Sequence, residues 1–445
     1  MRKVLSSMVA LALMPTPALS EINLYKELDR EVTYLNQSPG HKQKDFVQWM
    51  EAYLLEYQSW RTAYLEEFDQ YRADIIGEWG TGEISKSLTT VKYSQNKQSK
   101  TVVDYDNNEI RVAVLVDASL SEEEAKKKLN LKLSQVLDDK KSSIIISAGI
   151  ENPEELVNGN VTTKPIEYSK DNEKDAQQLI ISQTNSQLNE LDKEAERFIA
   201  DNSQMEAAIE EATHTQKKAL IANAQKRINA LNTVYEEKRS QRDNSELKDK
   251  KVVEYRVSLP KNSLSKRAGK FVNLAEKESL EWKVPASLIM AIMHSESSFD
   301  PKAKSLVPAY GLMQIVPTTA GHDVNRKFRR IDKPMRSSEL YIPETNIETG
   351  AAYLHILDTQ YLKRINNPES RLYCTIAAYN TGAGNVAKAF NPNGSRNITN
   401  AAEIINELSA SDVYQKLLAN LPYDETKHYL KKVTSRIELY KEKAI

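Results

Sequence analysis

Cysteine is nearly absent. The 445 residues hold one, Cys374, inside the apolar run LYCTIAAYN. A single thiol excludes an internal disulfide framework, and a cysteine among apolar neighbours reads as a small buried hydrophobe rather than a nucleophile. The six histidines stand singly at 41, 214, 294, 322, 355 and 428. That scatter lacks the spacing of a zinc site, and nothing else in the chain calls for a metal or a cofactor. An excess of one charge is missing too, with 61 Lys and Arg against 62 Asp and Glu. The balance gives no pull towards nucleic acid, and none is expected as a partner. No stretch approaches the ~20 apolar residues that a membrane-spanning helix needs. Glycine and proline are both absent between Pro165 and Pro260, a long silence of helix breakers.

What is present begins with an export signal. In MRKVLSSMVALALMPTPALS, Arg2 and Lys3 form a positive start and Val4 to Met14 a short apolar stretch. Ala18 and Ser20 supply the small residues before a cleavage site, so residues 1–20 are expected to be removed ahead of Glu21. The expected location is the periplasm. No cysteine stands directly after the signal, where residues 18–21 read ALSE, so no lipid anchor is expected.

The length suggests two or three domains. From Lys42 to about Ile76, aromatic residues recur at three- and four-residue steps, from Phe46 and Trp49 to Phe68 and Tyr71, which predicts a helix with an aromatic packing face. Val103 and Tyr105 alternate with polar neighbours, DNN at 106–108 makes a turn, and Ile110, Val112, Val114 and Val116 line one face of a second strand. KSSIIISAG, ending at Gly149, is a candidate third strand, and KVVEYRVSLP at 251–260 a strand that rejoins the sheet. Between them, Leu188, Leu191, Ala195, Phe198, Met205, Ile209 and Ala212 follow a seam, and Ile221, Ala224, Ile228, Leu231 and Tyr235 repeat it. This predicts a coiled-coil helical hairpin inserted at about 175–240, bending at THTQ (213–216), with one long helix as the alternative. Its seam is aliphatic and its outer faces carry mixed charge, so it reads as an arm for self-association or for docking on an envelope protein, not needed for catalysis. The expected fold is mostly α: an N-terminal α+β domain (21–260) carrying this insertion, then a helical domain (261–445).

In the helical domain one carboxylate stands out. Val284-Pro285 opens a helix whose Leu288, Ile289, Ile292 and Met293 give it a buried face. Glu296 lies one turn past Ile292, at the C-terminal end. Apolar burial and the negative end of a helix both disfavour the ionised form, which suits a general acid near neutral pH.

Four motifs surround it in order: ESSFDPKAKS…YGLMQ (296–314), ETNIETGAAYL (344–354), AAYNTGAGNV (377–386) and HYLKKV (428–433). Together they resemble the lytic transglycosylase domain of the goose-type lysozyme superfamily, over essentially Ser265 to Tyr440. VVDYDNNEIRVAVLV resembles the N-terminal hairpin of one branch of that family, whereas the heptad segment has no counterpart there. The resemblance implies a lysozyme-like helical fold acting on peptidoglycan glycan strands, at the bond between N-acetylmuramic acid and N-acetylglucosamine. It implies that Glu296 first protonates the glycosidic oxygen and then accepts the proton of the muramoyl 6-hydroxyl, which closes a 1,6-anhydro ring without water. The substrate acetamido group is then expected to steady the cationic centre, since no second carboxylate holds a family catalytic position. Carried over by position, Ser305, Met313, Gln314, Asn346, Tyr379 and Asn380 are expected to line the glycan cleft. Tyr429 is expected to hydrogen-bond Glu296, and Ser297 to fix the turn. Pro308 replaces the small or polar residue usual in that loop.

NRKFRRIDKPMR (325–336) holds six basic residues against one Asp and reads as solvated surface or as a contact for the anionic peptide stems. Two other readings stand beside the leading one: a hydrolytic muramidase of the same fold, and a non-catalytic wall-associated scaffold.

Overall fold

The computed structural model describes residues 64–441, apart from 139–144, 146, 151–152, 157, 202–204 and 245–249, together with single positions at 45, 48 and 52. Most of the aromatic helix expected from Lys42 lies outside that range. Its described part, α1 (64–79), is helical and buries Ile75, Ile76 and Trp79.

Five antiparallel strands follow, β1 (Thr89–Tyr93), β2 (Ser99–Asp104), β3 (Glu109–Asp117), β4 (Asn160–Pro165) and β5 (Lys250–Ser258), in the spatial order β1-β2-β3-β5-β4. The alternation in β3 works as a strand's period of two demands. Ile110, Val112, Val114 and Val116 face helix α2 (Glu122–Asp138) through Ala125 and Leu129. Ala113 and Leu115 face Ile75 and Trp79 of α1 on the other side. Two strands went unread. β1 and β4 are edges, and β4 is exposed at every residue, so neither carries the apolar alternation that marks a half-buried strand. KSSIIISAG has no strand at its described positions: Ile145 and Ser147 are helical, Ala148 and Gly149 form a turn, and Ile145 packs in the same core as α2.

The breaker-free stretch forms α3 (Lys170–Asp201) and α4 (Glu206–Asn244). They run antiparallel, since Gln177 bonds Asn232 while Lys217 bonds Asp192. α3 ends at Asp201 and α4 begins at Glu206, so the reversal is not at THTQ, which lies inside α4. A polar tetrapeptide without Gly or Pro pays no penalty for staying helical, so it carried no stop signal. The hairpin leaves the sheet at Pro165 and returns at Lys251, residues that face each other across the β4–β5 pair. The insertion is therefore an enlarged turn between neighbouring strands. It does not reach away from the body, because α3 lies along the C-terminal helices.

Those helices are α5 (Ser263–Gly269), α6 (Val272–Trp282), α7 (Ala286–Glu296), α8 (Pro343–Ile356), α9 (Pro368–Thr381), α10 (Ala383–Phe390), α11 (Ile398–Asn406), α12 (Ala410–Asn420) and α13 (Asp424–Lys441). They share one apolar core. α7 is its axis, with every residue from Leu288 to Met293 buried. At about 1.5–3 kcal/mol for each large apolar side chain withdrawn from water, that run fixes the helix and where it ends. Arg267 ties the two halves together: its guanidinium donates to the carbonyls of Ser298 (3.0 Å) and Ala148 (2.9 Å) and lies over the Tyr105 ring. No described helix is long and apolar enough to cross a membrane.

Candidate active site

Glu296 is the last residue of α7, and the chain turns sharply behind it. Ser297 is fully buried, and its hydroxyl donates to the carbonyls of Met293 (3.1 Å) and Leu312 (2.7 Å). It thereby pins the helix end to the Gly-Leu-Met-Gln loop. Ser298 and Phe299 follow in the left-handed region, at φ 50° and 66°, and redirect the chain under α7. Burial raises the Glu296 carboxyl from the usual carboxylate range to about 8; the neighbouring Tyr429 hydroxyl and Lys193 and Lys432 favour its charged form, while Glu425 opposes it. At neutral pH it holds its proton.

The loop carrying Gln314 is shaped by two close approaches. Gly311 sits at φ +75°, where a Cβ would come within 2.3 Å of the Leu340 carbonyl oxygen and 2.5 Å of the Asn346 amide. Gly350 on α8 makes room for Met313, whose Sδ would lie 2.3 Å from an added Cβ.

The structure gives the sequence-predicted residues different tasks, and Tyr379 and Tyr429 lie near enough to Glu296 to feel its charge. Asn346 is fully buried and spends its amide on the loop: Oδ1 accepts from the Met313 N–H, and Nδ2 donates to the carbonyls of Tyr310 and Leu340, each at 2.8 Å. Met313 is also fully buried, against α8. Ser305 bonds within its own turn, donating to the Val307 carbonyl and accepting from the Ala309 N–H. Tyr379 donates to the Met313 carbonyl at 2.9 Å and so holds the loop against α9. Asn380 accepts the Thr426 hydroxyl through Oδ1 at 2.6 Å. Gln314 donates to the carbonyls of Ala303 and Gly311, at 3.2 and 2.8 Å. Its Oε1 and the Tyr429 hydroxyl are buried without a hydrogen-bond partner among the described residues. Tyr429 stands close enough to Glu296 for its hydroxyl to favour the charged carboxylate. Unpaired buried polar atoms of this kind are what a polar ligand would satisfy. The basic run 325–336 is largely exposed, although Arg329 is held by Glu348 and Thr349, both at 3.0 Å.

Sequence reasoning missed two contributions. Glu425 lies one turn before Tyr429 on α13, and burial raises its carboxyl. The second comes from α3. Asn189 donates to the Asn380 carbonyl at 2.9 Å and accepts the Thr381 hydroxyl at 2.7 Å, and Glu196 accepts the Gly384 N–H at 2.9 Å. The available signal was a second, polar stripe on α3, through Gln183, Ser186, Asn189, Lys193 and Glu196, which reads as a solvated face when its partner is unknown.

The family described as Transglycosylase SLT domain matches residues 273–402, within the segment whose motifs suggested it. Among curated relatives, "Membrane-bound lytic murein transglycosylase C" of Serratia proteamaculans is 46% identical over 185 residues, covering 42% of this chain and 50% of that protein. Its namesake from Cronobacter sakazakii is 43% identical over 187 residues, covering 42% and 51%. The chain thus spans about half the length of the curated relatives it matches. Among solved structures, an inactive mutant of the lytic transglycosylase Slt from Pseudomonas aeruginosa is 29% identical with a TM-score of 0.30, covering 38% of this chain and 24% of that one. The 70 kDa soluble lytic transglycosylase of Escherichia coli is 21% identical with a TM-score of 0.29, covering 72% and 44%. The relatives' names say membrane-bound, which stands against the expectation of a chain with no lipid anchor.

Proposed function

We propose that this chain is a periplasmic lytic transglycosylase, cleaving the β-1,4 bond between N-acetylmuramic acid and N-acetylglucosamine in peptidoglycan and leaving 1,6-anhydro ends. One observation carries the reading: a single carboxyl, Glu296, closes a buried helix, stays protonated to about pH 8, and has Tyr429 beside it. The protonated form donates to the glycosidic oxygen as the bond to the leaving sugar breaks. The carboxylate so formed takes the proton of the 6-hydroxyl while that oxygen bonds to C1. The carboxyl ends as it began, and no water is consumed. The matched domain and the relatives' names support this chemistry. Gln314 Oε1 and the Tyr429 hydroxyl are the unpaired groups available to the sugar and to the reacting carboxyl.

The hydrolytic reading is favoured by one feature, the second carboxyl at Glu425. That carboxyl is also raised by burial, and a hydrolase would want its second carboxyl ionised. Mass spectrometry of digested sacculi decides: anhydro ends support the lyase, reducing ends the hydrolase. Glu296→Gln keeps the shape but cannot move a proton, and positioned acid–base catalysis contributes ~10²–10⁴-fold. Product release by that variant at the wild-type rate would refute the assignment.

A further inference from the structure

A cavity of about 610 Å³ lies on the sheet face opposite α2, and no residue of the helical domain lines it. It crosses all five strands, with Thr89 of β1, Lys100 of β2, Arg111 of β3, Glu254 of β5 and Thr162 of β4 along its floor. At about 4.8 Å between neighbouring strands, that makes a trough roughly 19 Å long. Residues 81–84 and the first turns of α3, through Asn172, Ala176 and Leu179, wall it. The strands themselves account for the gap. On this face of β3, Leu115 and Ala113 pack on Trp79 and Ile75, and the next residue on the same side is Arg111. On β5, Val252 gives way to Glu254. Charged side chains cannot be sealed into an apolar core without large cost, so the packing stops where they begin.

The charges on the floor are held in place. Lys100 is 5% exposed; its ammonium meets Glu83 at 2.7 Å and lies over the Trp79 ring. Arg111 meets the other Glu83 oxygen at 2.5 Å and approaches Glu254 at 3.8 Å. Arg72, which also lines the trough, is 3% exposed and donates to the Ala176 carbonyl at 2.7 Å. Its Nη1 is buried without a hydrogen-bond partner among the described residues, a donor that an entering acceptor would satisfy. The rim adds exposed groups of both signs, Lys86 and Lys164 against Glu167 and Asp175.

This lining discriminates among ligand classes. An apolar molecule would strand the floor charges away from water. A phosphate chain would face Glu83, Glu254, Glu167 and Asp175. A sugar ring stacks on an open aromatic face, and Lys100 already covers Trp79. A peptide bearing carboxylates and an ammonium group matches both signs, and its carbonyls offer acceptors to Arg72. Four extended residues span about 14 Å, within the length of the trough. One end of the trough also abuts the loop that follows Glu296. Thr90, beside the lining Thr89, donates to Asp300 at 3.3 Å, and Gln183, one turn past Leu179, donates to the Leu306 carbonyl at 3.3 Å.

We propose that this trough binds the peptide stem of the peptidoglycan strand, so that the N-terminal domain selects stem-bearing glycan over bare glycan. The proposal rests on the lyase reading above and names the part of the substrate that the sheet recognises.

The test compares KM on glycan strands that keep their stems with KM on the same strands stripped by an amidase. Wild-type enzyme is expected to show a KM at least about tenfold lower on stem-bearing strands, the fold-change that charge-assisted hydrogen bonds confer. Lys86→Glu with Lys164→Glu changes only exposed side chains and is expected to bring the ratio of the two KM values close to one. Thr162→Trp, on the exposed edge strand β4, fills the trough and is expected to do the same. Isothermal titration of the full chain with a free tetrapeptide of alanine, glutamate, diaminopimelate and alanine should show binding that salt weakens and that both variants lose. Equal KM values for wild-type enzyme on the two substrates would overturn the proposal. So would folded variants that keep the wild-type ratio, or that still bind the tetrapeptide as wild type does. Absence of anhydro ends from both substrates would instead count against the lyase reading, and the titration would still decide whether the trough takes the peptide.

Discussion

Replacing Glu296 with Gln should raise stability while it removes activity, and the gain should depend on pH in a calculable way. The wild-type carboxyl moves from 4.5 in an unperturbed setting to about 8 in the folded site. Its folded pKa lies above its unfolded one, so the native state binds the extra proton and burial costs stability once the unfolded chain ionises. The cost is near zero below pH 4.5, grows as pH rises, and levels off above 8. With 1.36 kcal/mol per pKa unit, the ceiling is about 1 kcal/mol at pH 5, about 3 kcal/mol at pH 7 and about 5 kcal/mol above pH 8. The amide of Gln carries no such dependence. For a helical domain of this size, about 3 kcal/mol corresponds to roughly 6–12 °C in Tm. Thermal unfolding of both proteins from pH 5 to 9, followed by circular dichroism, measures the difference directly. A gap between the two midpoints that widens with pH is the expected result. A gap constant from pH 5 to 9 would show that Glu296 is ionised in the folded protein, and the general-acid assignment would fall with it.

The other expectations are local. Activity of the wild-type enzyme should fall as pH rises through about 8, where Glu296 loses the proton it must give. Tyr429→Phe removes a hydroxyl that favours the charged form, so this alkaline limb should move upward, with a smaller loss of turnover than in Glu296→Gln; a pH–rate profile that does not move would refute the contact. Gly350→Ala places a Cβ 2.3 Å from Met313 Sδ. Overpacking of this kind costs about 1–3 kcal/mol, and because Met313 leads directly into Gln314, denaturant midpoint and turnover should fall together.

How much of this was legible beforehand depended on where the physical signal resided. Glu296 was readable because its setting is local: an apolar helix, a Ser-rich turn, and motifs in a fixed order. β2, β3 and β5 were readable because burial on one or both faces writes period-two alternation into sequence, and the long helices because breakers are absent from them. β1 and β4 were not, since edge strands with no fully buried face carry no such alternation. The reversal between α3 and α4 was misplaced because THTQ is merely polar, and polarity without Gly or Pro does not end a helix. Asn346 and Met313, expected to line the cleft, are instead fully buried, because their side chains are used up in holding and packing a loop, which the sequence could not state. The largest difference lies in α3. Its apolar stripe determined a paired helix, while its polar stripe had two physical solutions, solvent or a partner rich in hydrogen-bonding groups. Nothing within the helix chooses between them. Only the tertiary structure, by returning the hairpin to the sheet at Lys251 and carrying Asp192 to Arg396, decides that the stripe faces the α9–α10 corner.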